Sequence, residues 1–434
     1  RSRCHRCSRR TDAMGRVVAV RSRVASLPRV TALLRVASLL HCCCAALVPK
    51  PPTPAVPKPP HSGYHIRGRR GAFEGWYHRL SLPPDAGVPS VFIYSVFDPE
   101  EPHSPRHGVA LQLLGVGMAS RLLEAPSKGS FWADEHRLAL GHTTMGVPLR
   151  QPSSPRAFER FVQGGWQLSA TQHQGRLEDG SASWCYTIAP KLGWGGGSEA
   201  KQYSTAGWLA ALPVFEPHYQ VLMSHGLATG HITHGDVRHD FTDAPCYSEK
   251  NWGGGSFPSR WFWAQCNAFD GLPGVALTVA GGARQLPLLQ QEEDVALLCV
   301  HVESEDAFYP FPNVAWDVAS WGAWRVEGRY GGMRALVEAR AAEGDAGTPV
   351  VCPTMEGMTG ESLETLRGEL TLKLWRGDEL LLEAHSNQAA LEVGPSGSAW
   401  AGGWKGSCSI GQVEESILGA EVPLEQVRGW IPGY

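Results

Sequence analysis

The sequence predicts an all-β protein made of many short strands and few helices. Short apolar runs bounded by glycine, proline, asparagine and aspartate recur along the chain. Their length and their aromatic and β-branched content favour strands over helices. Sustained helical periodicity is scarce, and short helices are expected only at residues 155–162 and 423–430. Many strands at such spacing are typical of sandwiches and barrels, because closure of a sheet removes its exposed edges.

Four runs show the strand pattern in chain order. They are residues 91–97, 109–115, 261–266 and 275–279. Successive side chains point to opposite faces of a strand, so Trp261 and Trp263 are expected to share one face while Phe262 takes the other.

Two hairpins are predicted where a Gly-Asp pair separates two strand-like runs. The first turn lies at residues 234–236 and the second at residues 376–378. Turn residues of this kind between extended runs are typical of antiparallel hairpins.

Chain length and composition are those of a folded protein with two domains. The 434 residues are too many for one average core. Apolar and charged fractions of 43% and 19% are ordinary for globular proteins. A break near Pro287 predicts a larger β domain at 61–285 and a smaller one at 286–434. The net charge of -3 argues against a general nucleic-acid binder, which needs a basic face to neutralise phosphates.

The first sixty residues differ in composition from the rest of the chain. Arginines are spaced among serine, alanine, valine and leucine, and Asp12 is the only acidic residue in this stretch. An arginine-rich, acid-poor leader is typical of organelle import. Arg35 interrupts the apolar run, so no transmembrane helix is expected there. Residues 1–60 are therefore predicted to be a transit peptide followed by a proline-rich linker.

Generic enzyme, cofactor and metal motifs are missing from the sequence. It contains no Gly-x-Ser-x-Gly elbow, no His-Glu-x-x-His helix and no Walker loop. Five histidines lie between His218 and His239, but no cysteine or carboxylate completes a recognisable ligand set, so no metal is expected. The six cysteines beyond the leader form no CxxC pair, which is typical of buried thiols rather than a disulfide framework.

Three segments combine aromatic residues with isolated carboxyl and imidazole groups. They are Phe-Glu-Gly-Trp-Tyr-His at 73–78, Phe-Trp-Ala-Asp-Glu-His at 131–136 and Tyr-Ser-Glu-Lys-Asn-Trp-Gly-Gly at 247–254. Rigid apolar rings around such groups suit the protonation of an apolar molecule away from water. Together with the aromatic stretch at 203–269, these segments resemble the tocopherol cyclases of plastids, and the resemblance covers nearly everything after residue 61.

The resemblance also implies a fold. Glu74-x-Trp76-Tyr77 followed by Glu249-x-x-Trp252-Gly253 is similar to the paired signature of the broader carotenoid-hydratase-like group. That group is built from two lipocalin-like β-barrels side by side, with the ligand in or between them. Where the group commonly has Asp-His or Asp-Arg, this chain has Glu249 and Lys250. The carboxylate position is retained, and a role for a neighbouring histidine is not carried over.

The resemblance implies closure of the chromanol ring of vitamin E from a phytyl-hydroquinone. The 2,3-dimethyl substrate would give γ-tocopherol and the monomethyl substrate δ-tocopherol. A proton adds to the double bond nearest the ring, and the phenolic oxygen attacks the tertiary cationic centre. No electrons move overall, so no cofactor is expected. The implied location is the chloroplast, with peripheral contact to plastoglobule, thylakoid or inner-envelope lipid.

Glu249 is the first candidate for the acid. An alkene is a weak base, so its protonation needs a carboxylic acid or imidazolium that stays protonated near neutral pH in a dry pocket. Glu249 occupies the family's carboxylate position and is flanked by Tyr247 and Trp252. Its neighbour Lys250 is expected to point to the opposite face of an extended strand.

Two pairs at i, i+2 spacing are the other catalytic candidates. Asp134 and His136 are expected to form an acid–imidazole pair if they lie on one strand face, and a solvated turn is the alternative. Glu216 and His218 repeat this spacing around Pro217, which places them at a strand edge or bulge. A structural polar pair is the alternative there.

The predicted substrate-binding residues are mostly aromatic. They are Glu74, Trp76, Tyr77, Tyr247, Asn251, Trp252, Trp261 and Trp263. For each ring, ordinary core packing is the alternative, and for Glu74 it is a hydrogen bond within a barrel.

Two other functions fit the same features. A hydratase would let water trap the cation, and a carrier would bind a prenyl quinone without turnover. The ionisable groups among the aromatic motifs favour catalysis over carriage, and the resemblance alone separates a cyclase from a hydratase.

Overall fold

The structure is a computed structural model that describes most of the chain after residue 57. The described residues are 58–98, 108–125, 130–207, 210, 216–254, 257–286, 291–319, 321–354, 356–396, 400 and 402–409. The predicted transit peptide, most of the proline-rich linker and the helix expected at 423–430 lie outside these residues.

The first sheet has eleven antiparallel strands. They are β1 (Ala72–Leu80), β2 (Val91–Asp98), β3 (Gly108–Leu114), β4 (Arg121–Ala125), β5 (Trp132–Ala133), β6 (Ala139–Gly146), β7 (Val162–Ser169), β8 (Gln172–Arg176), β9 (Ala182–Leu192), β10 (His218–His234) and β11 (Val237–Gly254). Their order in the sheet is β4-β3-β2-β1-β11-β10-β9-β8-β7-β6-β5. The pairing of β1 with β11 brings the two glutamate-containing signatures side by side.

The second sheet has eleven strands as well. They are β12 (Arg260–Cys266), β13 (Val275–Leu286), β14 (Gln291–Val302), β15 (Ala307–Phe311), β16 (Asn313–Val318), β17 (Trp324–Tyr330), β18 (Met333–Ala341), β19 (Thr348–Thr354), β20 (Gly357–Arg376), β21 (Glu379–Gly394) and β22 (Trp404–Ser409). Their order is β15-β14-β13-β12-β21-β20-β18-β17-β16-β22, and β19 pairs with β20.

One α-helix, α1 (Pro155–Phe161), joins β6 to β7 among the described residues. Proline stands in its first turn, where no backbone N–H is needed, and the side chain of Ser154 accepts a hydrogen bond from the N–H of Ala157. Within the described part of the chain, no helix is long and apolar enough to cross a membrane.

Each sheet curves around its own aromatic core. The first core includes Phe92, Tyr94, Trp166 and Trp184. The second core includes Phe262, Trp316, Trp324 and Trp404. Side chains therefore fill the concave side of each sheet. The convex sides remain available for contact between the sheets.

The convex faces of the two sheets pack against each other. Tyr77, Val221 and Tyr247 of the first sheet form one apolar cluster with Trp263 and Val350 of the second. The side chain of Gln112 adds a reciprocal pair of bonds to the backbone of Val351, at 2.7 and 2.9 Å. This interface is the setting of the candidate site.

The predicted all-β fold with few helices is confirmed. The four expected strands are β2, β3, β12 and β13, and the expected helix at 155–162 is α1. Both predicted hairpins form, between β10 and β11 and between β20 and β21. Among the described residues, β4 does not pair with β5, nor β15 with β22, so the hydrogen bonding of each barrel stays open at one seam.

The domain boundary at residue 285 remains a prediction. Residue 285 lies in β13, which pairs along its length with the following strand β14. The strands change from the first sheet to the second between Gly254 and Arg260. We therefore propose that the two β domains divide there rather than at 285.

Candidate active site

A cavity of about 490 Å³ lies between the convex faces of the two sheets. Its walls come from β1, β2, β10 and β11 on one side and from β12, β13, β14, β19 and β21 on the other. Ile93, Ala280, Leu297 and Val350 give much of the lining an apolar character. A volume of this size suits a small organic ligand.

Glu249 on β11 lines this cavity, and its side chain is almost completely buried. Its Oε2 atom accepts hydrogen bonds from the hydroxyls of Tyr219 at 2.6 Å and Tyr247 at 2.5 Å. The indole Nε1 of Trp263 donates a third bond, at 3.0 Å, from the second sheet. Both sheets therefore hold this carboxyl in place.

All three of these hydrogen bonds end on Oε2, and none of them involves the second oxygen, Oε1. Burial raises the pKa of Glu249 to about 7, against the lowering effect of the donors from Tyr219, Tyr247 and Trp263. Because the donors occupy Oε2, a proton bound by the neutral acid belongs on Oε1. Glu249 thus has the protonation state that an acid needs near neutral pH.

Lys250 points away from Glu249, as the strand alternation predicts. Its ammonium group forms a fully buried ion pair with Glu74 and donates to the carbonyl oxygen of Gly63 at 2.6 Å. It also lies 4.8 Å from the centre of the Trp252 ring. Burial alone would raise the pKa of Glu74, but the charge of Lys250 outweighs burial and holds that pKa below its ordinary value. The positive charge of Lys250 is therefore balanced by Glu74 within the first sheet.

Glu392 on β21 is a functional candidate that the sequence reasoning missed. It lines the cavity and accepts a hydrogen bond of 2.9 Å from the indole Nε1 of Trp261. Burial raises the pKa of this carboxyl. A signal was present in the sequence, because Glu392 interrupts the apolar run Ala-Ala-Leu-Glu-Val at 389–393.

Glu364 on β20 was missed as well, and nothing in its local sequence singles it out. It is 1% exposed and accepts a hydrogen bond from the hydroxyl of Tyr77. Burial and then the neighbouring Glu392 raise the pKa of Glu364 to about 8. Tyr219, which donates to Glu249, is the third residue that the sequence did not reveal.

Most predicted substrate-binding residues do lie at the cavity. Tyr77, Asn251, Trp261 and Trp263 line it, and Tyr247 contacts Glu249 directly. As predicted, Trp261 and Trp263 share one face of β12, and the intervening phenylalanine enters the second core.

The remaining predicted substrate-binding residues belong to the first sheet's interior. The rings of Trp76 and Trp252 pack in the first core near the Lys250 ammonium group, and Trp76 also borders the cavity. Glu74 is the partner of that ammonium group. The alternative reading of Glu74, a polar contact within a barrel, is the arrangement found.

Glu216 is held by Arg69 and the backbone of Gly254, and His218 lies at the border of the cavity. Glu216 makes two hydrogen bonds of 2.6 Å with Arg69 and accepts the N–H of Gly254. Burial is outweighed by these contacts, which hold the pKa of Glu216 below its ordinary value. His218 borders the cavity and stacks on Trp252, and burial lowers its pKa to about 4.

Asp134 and His136 lie in a turn after β5, not on one strand face. Asp134 accepts the backbone N–H of His136 at 2.8 Å and the side chain of Arg137 at 2.9 Å. These contacts outweigh partial burial and lower the pKa of Asp134. The turn directs the carboxylate to the backbone and to Arg137, which is the alternative to the acid–imidazole pair.

No described group of three or more histidine, cysteine or acidic residues has the arrangement of a metal site. The arrangement found instead is an apolar cavity between two antiparallel sheets, with a proton-holding carboxyl in its wall. It defines a class of β protein that encloses an apolar ligand and is equipped for acid–base chemistry.

Comparison with known proteins identifies the family. The tocopherol cyclase-like family matches residues 70–395, and this chain belongs to that family. The chain is 39% identical over 404 residues to the tocopherol cyclase, chloroplastic, of Zea mays, which covers 85% of this chain and 84% of the relative. It is 38% identical over 406 residues to a probable tocopherol cyclase, chloroplastic, of Oryza sativa subsp. japonica, with the same coverage. The predicted family is confirmed.

Two solved structures are more distantly similar. The crystal structure of CghA has a TM-score of 0.46 at 12% identity and covers 80% of this chain and 94% of that chain. A putative AttH from Nitrosomonas europaea has a TM-score of 0.38 at 13% identity, covering 80% of this chain and 98% of that chain.

Proposed function

We propose that this protein is a tocopherol cyclase, an intramolecular lyase that closes the chromanol ring of phytyl-hydroquinones. Its relatives named as tocopherol cyclases support this activity. The single structural observation that carries the proposal is Glu249, a buried carboxyl with a pKa raised to about 7 in the wall of an apolar cavity. Such a group can hold a proton against a neutral, apolar substrate.

In the first step, Glu249 protonates the substrate. The O–H bond at Oε1 breaks, a C–H bond forms at the double bond nearest the aromatic ring, and Glu249 becomes a carboxylate. The positive charge falls on the tertiary carbon. The rings of Tyr77 and Trp263, which line the cavity beside Glu249, stabilise this charge through their faces.

In the second step, the phenolic oxygen attacks the tertiary carbon and the chromanol ring closes. The phenolic O–H bond breaks and its proton passes to a base, so the overall reaction is an isomerisation. The apolar lining keeps water away from the cation, and the attached phenol has the advantage of proximity.

A single assay tests the proposed activity. The full chain is incubated in detergent, under reducing conditions and without added cofactor, with 2,3-dimethyl-phytylhydroquinone. The expected product is γ-tocopherol, identified by chromatography and mass. A tertiary alcohol would instead make the protein a hydratase, and bound but unchanged substrate would make it a carrier.

We also propose a plastid location with peripheral contact to plastoglobule, thylakoid or inner-envelope lipid. The chloroplastic names of the relatives support the plastid, and the apolar substrate supports the lipid contact. Immunoblots of fractionated chloroplasts test this, with the protein expected in the lipid-rich fractions. Recovery from the stroma alone would contradict the lipid contact.

A further inference from the structure

Five residues at or directly behind the cavity form a closed ring of contacts. Two of them, Glu364 and Glu392, have no role in the first step of the reaction. On the first sheet, Tyr77 lies directly opposite Glu249. On the second sheet, Glu392 lies opposite Trp263 on one side and Glu364 on the other. The Tyr77 hydroxyl donates to Glu364, and the Trp263 indole donates to Glu249. We call these five residues the carboxyl ring.

Glu364 contributes to the carboxyl ring a buried oxygen without a hydrogen-bond partner. Glu364 accepts the Tyr77 hydroxyl at Oε1, whereas its Oε2 atom is buried with no hydrogen-bond partner among the described residues. An ionised carboxylate in this position would leave an unpaired charged oxygen out of water, which is costly. Protonation of Oε2 removes that cost if the resulting O–H group can donate a hydrogen bond to a nearby acceptor.

Glu392 is the nearest acceptor that the strand register provides. Directly opposed side chains on antiparallel strands have Cβ atoms roughly 4.5–5.5 Å apart, within reach of two glutamates. Like charges so close do not both ionise easily, which favours one proton shared by the two carboxyls. The Trp261 indole also donates to Glu392 and supports its negative charge.

Glu392 differs from Glu364 in its access to the ligand. Glu392 lines the cavity, whereas Glu364 lies behind it and contacts Tyr77. Only Glu392 can therefore meet a substrate hydroxyl directly.

We propose, on the basis of the cyclase function above, that Glu392 is the base that accepts the phenolic proton during ring closure. Glu364 positions it by sharing one proton across β20 and β21. When the C–O bond forms, the phenolic O–H bond breaks and its proton binds Glu392. Glu249 is then a carboxylate and both Glu392 and Glu364 are neutral, so the total charge of the three is unchanged.

The proton then returns from Glu392 to Glu249 through water that enters after the product leaves. Other titratable groups face this pair from both sheets. They are Glu249, Tyr77 and Arg79 on the first sheet and Cys352 on β19. Arg79 is tied to Gln265 at 2.6 Å outside the cavity lining, and its charge partly opposes the rise of the Glu364 pKa.

The first test removes the base. In the full chain, Glu392→Gln is expected to lower kcat by about 10²- to 10⁴-fold, the usual contribution of a general base, with little change in substrate affinity. The matched control is Glu361→Gln, an exposed glutamate on β20, which should keep wild-type turnover. Wild-type kcat in Glu392→Gln would overturn the proposal.

The second test separates positioning from simple structure. Glu364→Gln keeps a neutral donor opposite Glu392 and is expected to retain most of the activity. Glu364→Leu removes the donor, so the pKa of Glu392 rises and the acidic limb of the kcat/KM profile shifts to higher pH. Equal profiles for the two variants would show that no proton is shared.

A third measurement needs no turnover. In Glu249→Gln, which removes the band of that acid, the infrared spectrum near neutral pH should still contain a carbonyl band from a buried protonated carboxyl, and adding Glu364→Gln should remove it. An unchanged band would overturn the shared proton even if a variant is poorly folded. Failure of the wild-type protein to make a chromanol would reject the cyclase function instead, so the two failures are distinguishable.

Discussion

At the scale of single residues, Glu249 combines two opposing influences. Burial in an apolar cavity favours the neutral carboxyl, whereas donors from Tyr219, Tyr247 and Trp263 favour the carboxylate. The balance leaves the pKa at about 7, which lets the group both give up a proton and recover it. A fully apolar pocket would hold the proton too tightly, and an exposed site would lose it.

Removal of this acid is the most direct test at residue scale. Glu249→Gln is expected to reduce turnover about 10²- to 10⁴-fold and to leave substrate binding nearly unchanged, because the amide has the same shape but cannot protonate an alkene. Product formation and equilibrium binding are measured in parallel. Normal turnover in Glu249→Gln would contradict the role of Glu249 as the acid.

The donors to Glu249 make a prediction about pH. Turnover should fall as the pH rises through about 7, where Glu249 loses its proton. Tyr247→Phe removes a bond that favours the carboxylate, so the pKa rises and the alkaline limb of the kcat profile moves to higher pH. Tyr186→Phe is the control, since Tyr186 bonds His173 in the first core. An alkaline limb that stays in place would contradict this role for Tyr247.

At the scale of elements, the pairing of β1 with β11 separates two charged systems. Alternation along β11 sends Glu249 to the cavity and Lys250 to the first core, where Glu74 of β1 neutralises it. Alternation on β12 places Trp261 and Trp263 on one face, where the Trp261 indole donates to Glu392 and the Trp263 indole donates to Glu249. One strand thus orients two carboxyls with two indoles.

The buried ion pair predicts a large loss of stability when one partner is removed. Lys250→Met removes the ammonium partner of the buried Glu74, leaves it only the contacts with His65, and is expected to lower the free energy of unfolding by about 3–5 kcal/mol. The double variant with Glu74→Gln should recover much of this loss. Urea denaturation of the four proteins measures the coupling between the two residues. Additive losses would mean that the pair is not coupled.

At the scale of the whole molecule, the ligand site lies between the barrels because their interiors are occupied. Aromatic side chains fill the concave side of each sheet, so the free volume is left at the interface of the convex faces. The resemblance allowed a ligand in or between the barrels, and the packing favours the interface. A site built by both sheets couples catalytic geometry to the docking of the two halves.

The buried carboxyls also predict how overall stability depends on pH. The pKa values of Glu249 and Glu364 are raised to about 7 and about 8, above those of the unfolded chain. The folded state therefore keeps protons that the unfolded state has lost, and stability falls as pH rises towards these values. Partly buried histidines such as His61 and His218, with pKa values lowered to about 4, make stability fall as the pH drops, but only below the ordinary histidine pKa.

The expected measurement is the free energy of unfolding by urea between neutral pH and about pH 8. Each raised glutamate contributes a fall of about 1.4 kcal/mol per pH unit until its folded-state pKa is reached. Glu364→Gln should flatten the curve, whereas Glu361→Gln should not. Equal slopes in wild type and Glu364→Gln would show that Glu364 is not protonated in the fold.

The local sequence pattern was enough to predict the strands, the two hairpins and helix α1. It also predicted that Glu249 and Lys250 point to opposite faces of their strand. Of the predicted substrate-binding residues, Tyr77, Asn251, Trp261 and Trp263 line the cavity. Asp134 and His136 lie in a turn, the alternative to a shared strand face, because residues at i and i+2 share a face only where the backbone is extended.

By itself the sequence determined the class of fold and the family and predicted Glu249 as the acid, since alternation and motif spacing are properties of contiguous residues. Only the tertiary structure decided where the cavity lies and which distant groups meet there. Glu364 and Glu392 reach Glu249 through strand order and through two sheets packed face to face. Burial and mutual repulsion then raise their pKa values, and both effects depend on neighbours in space rather than along the chain.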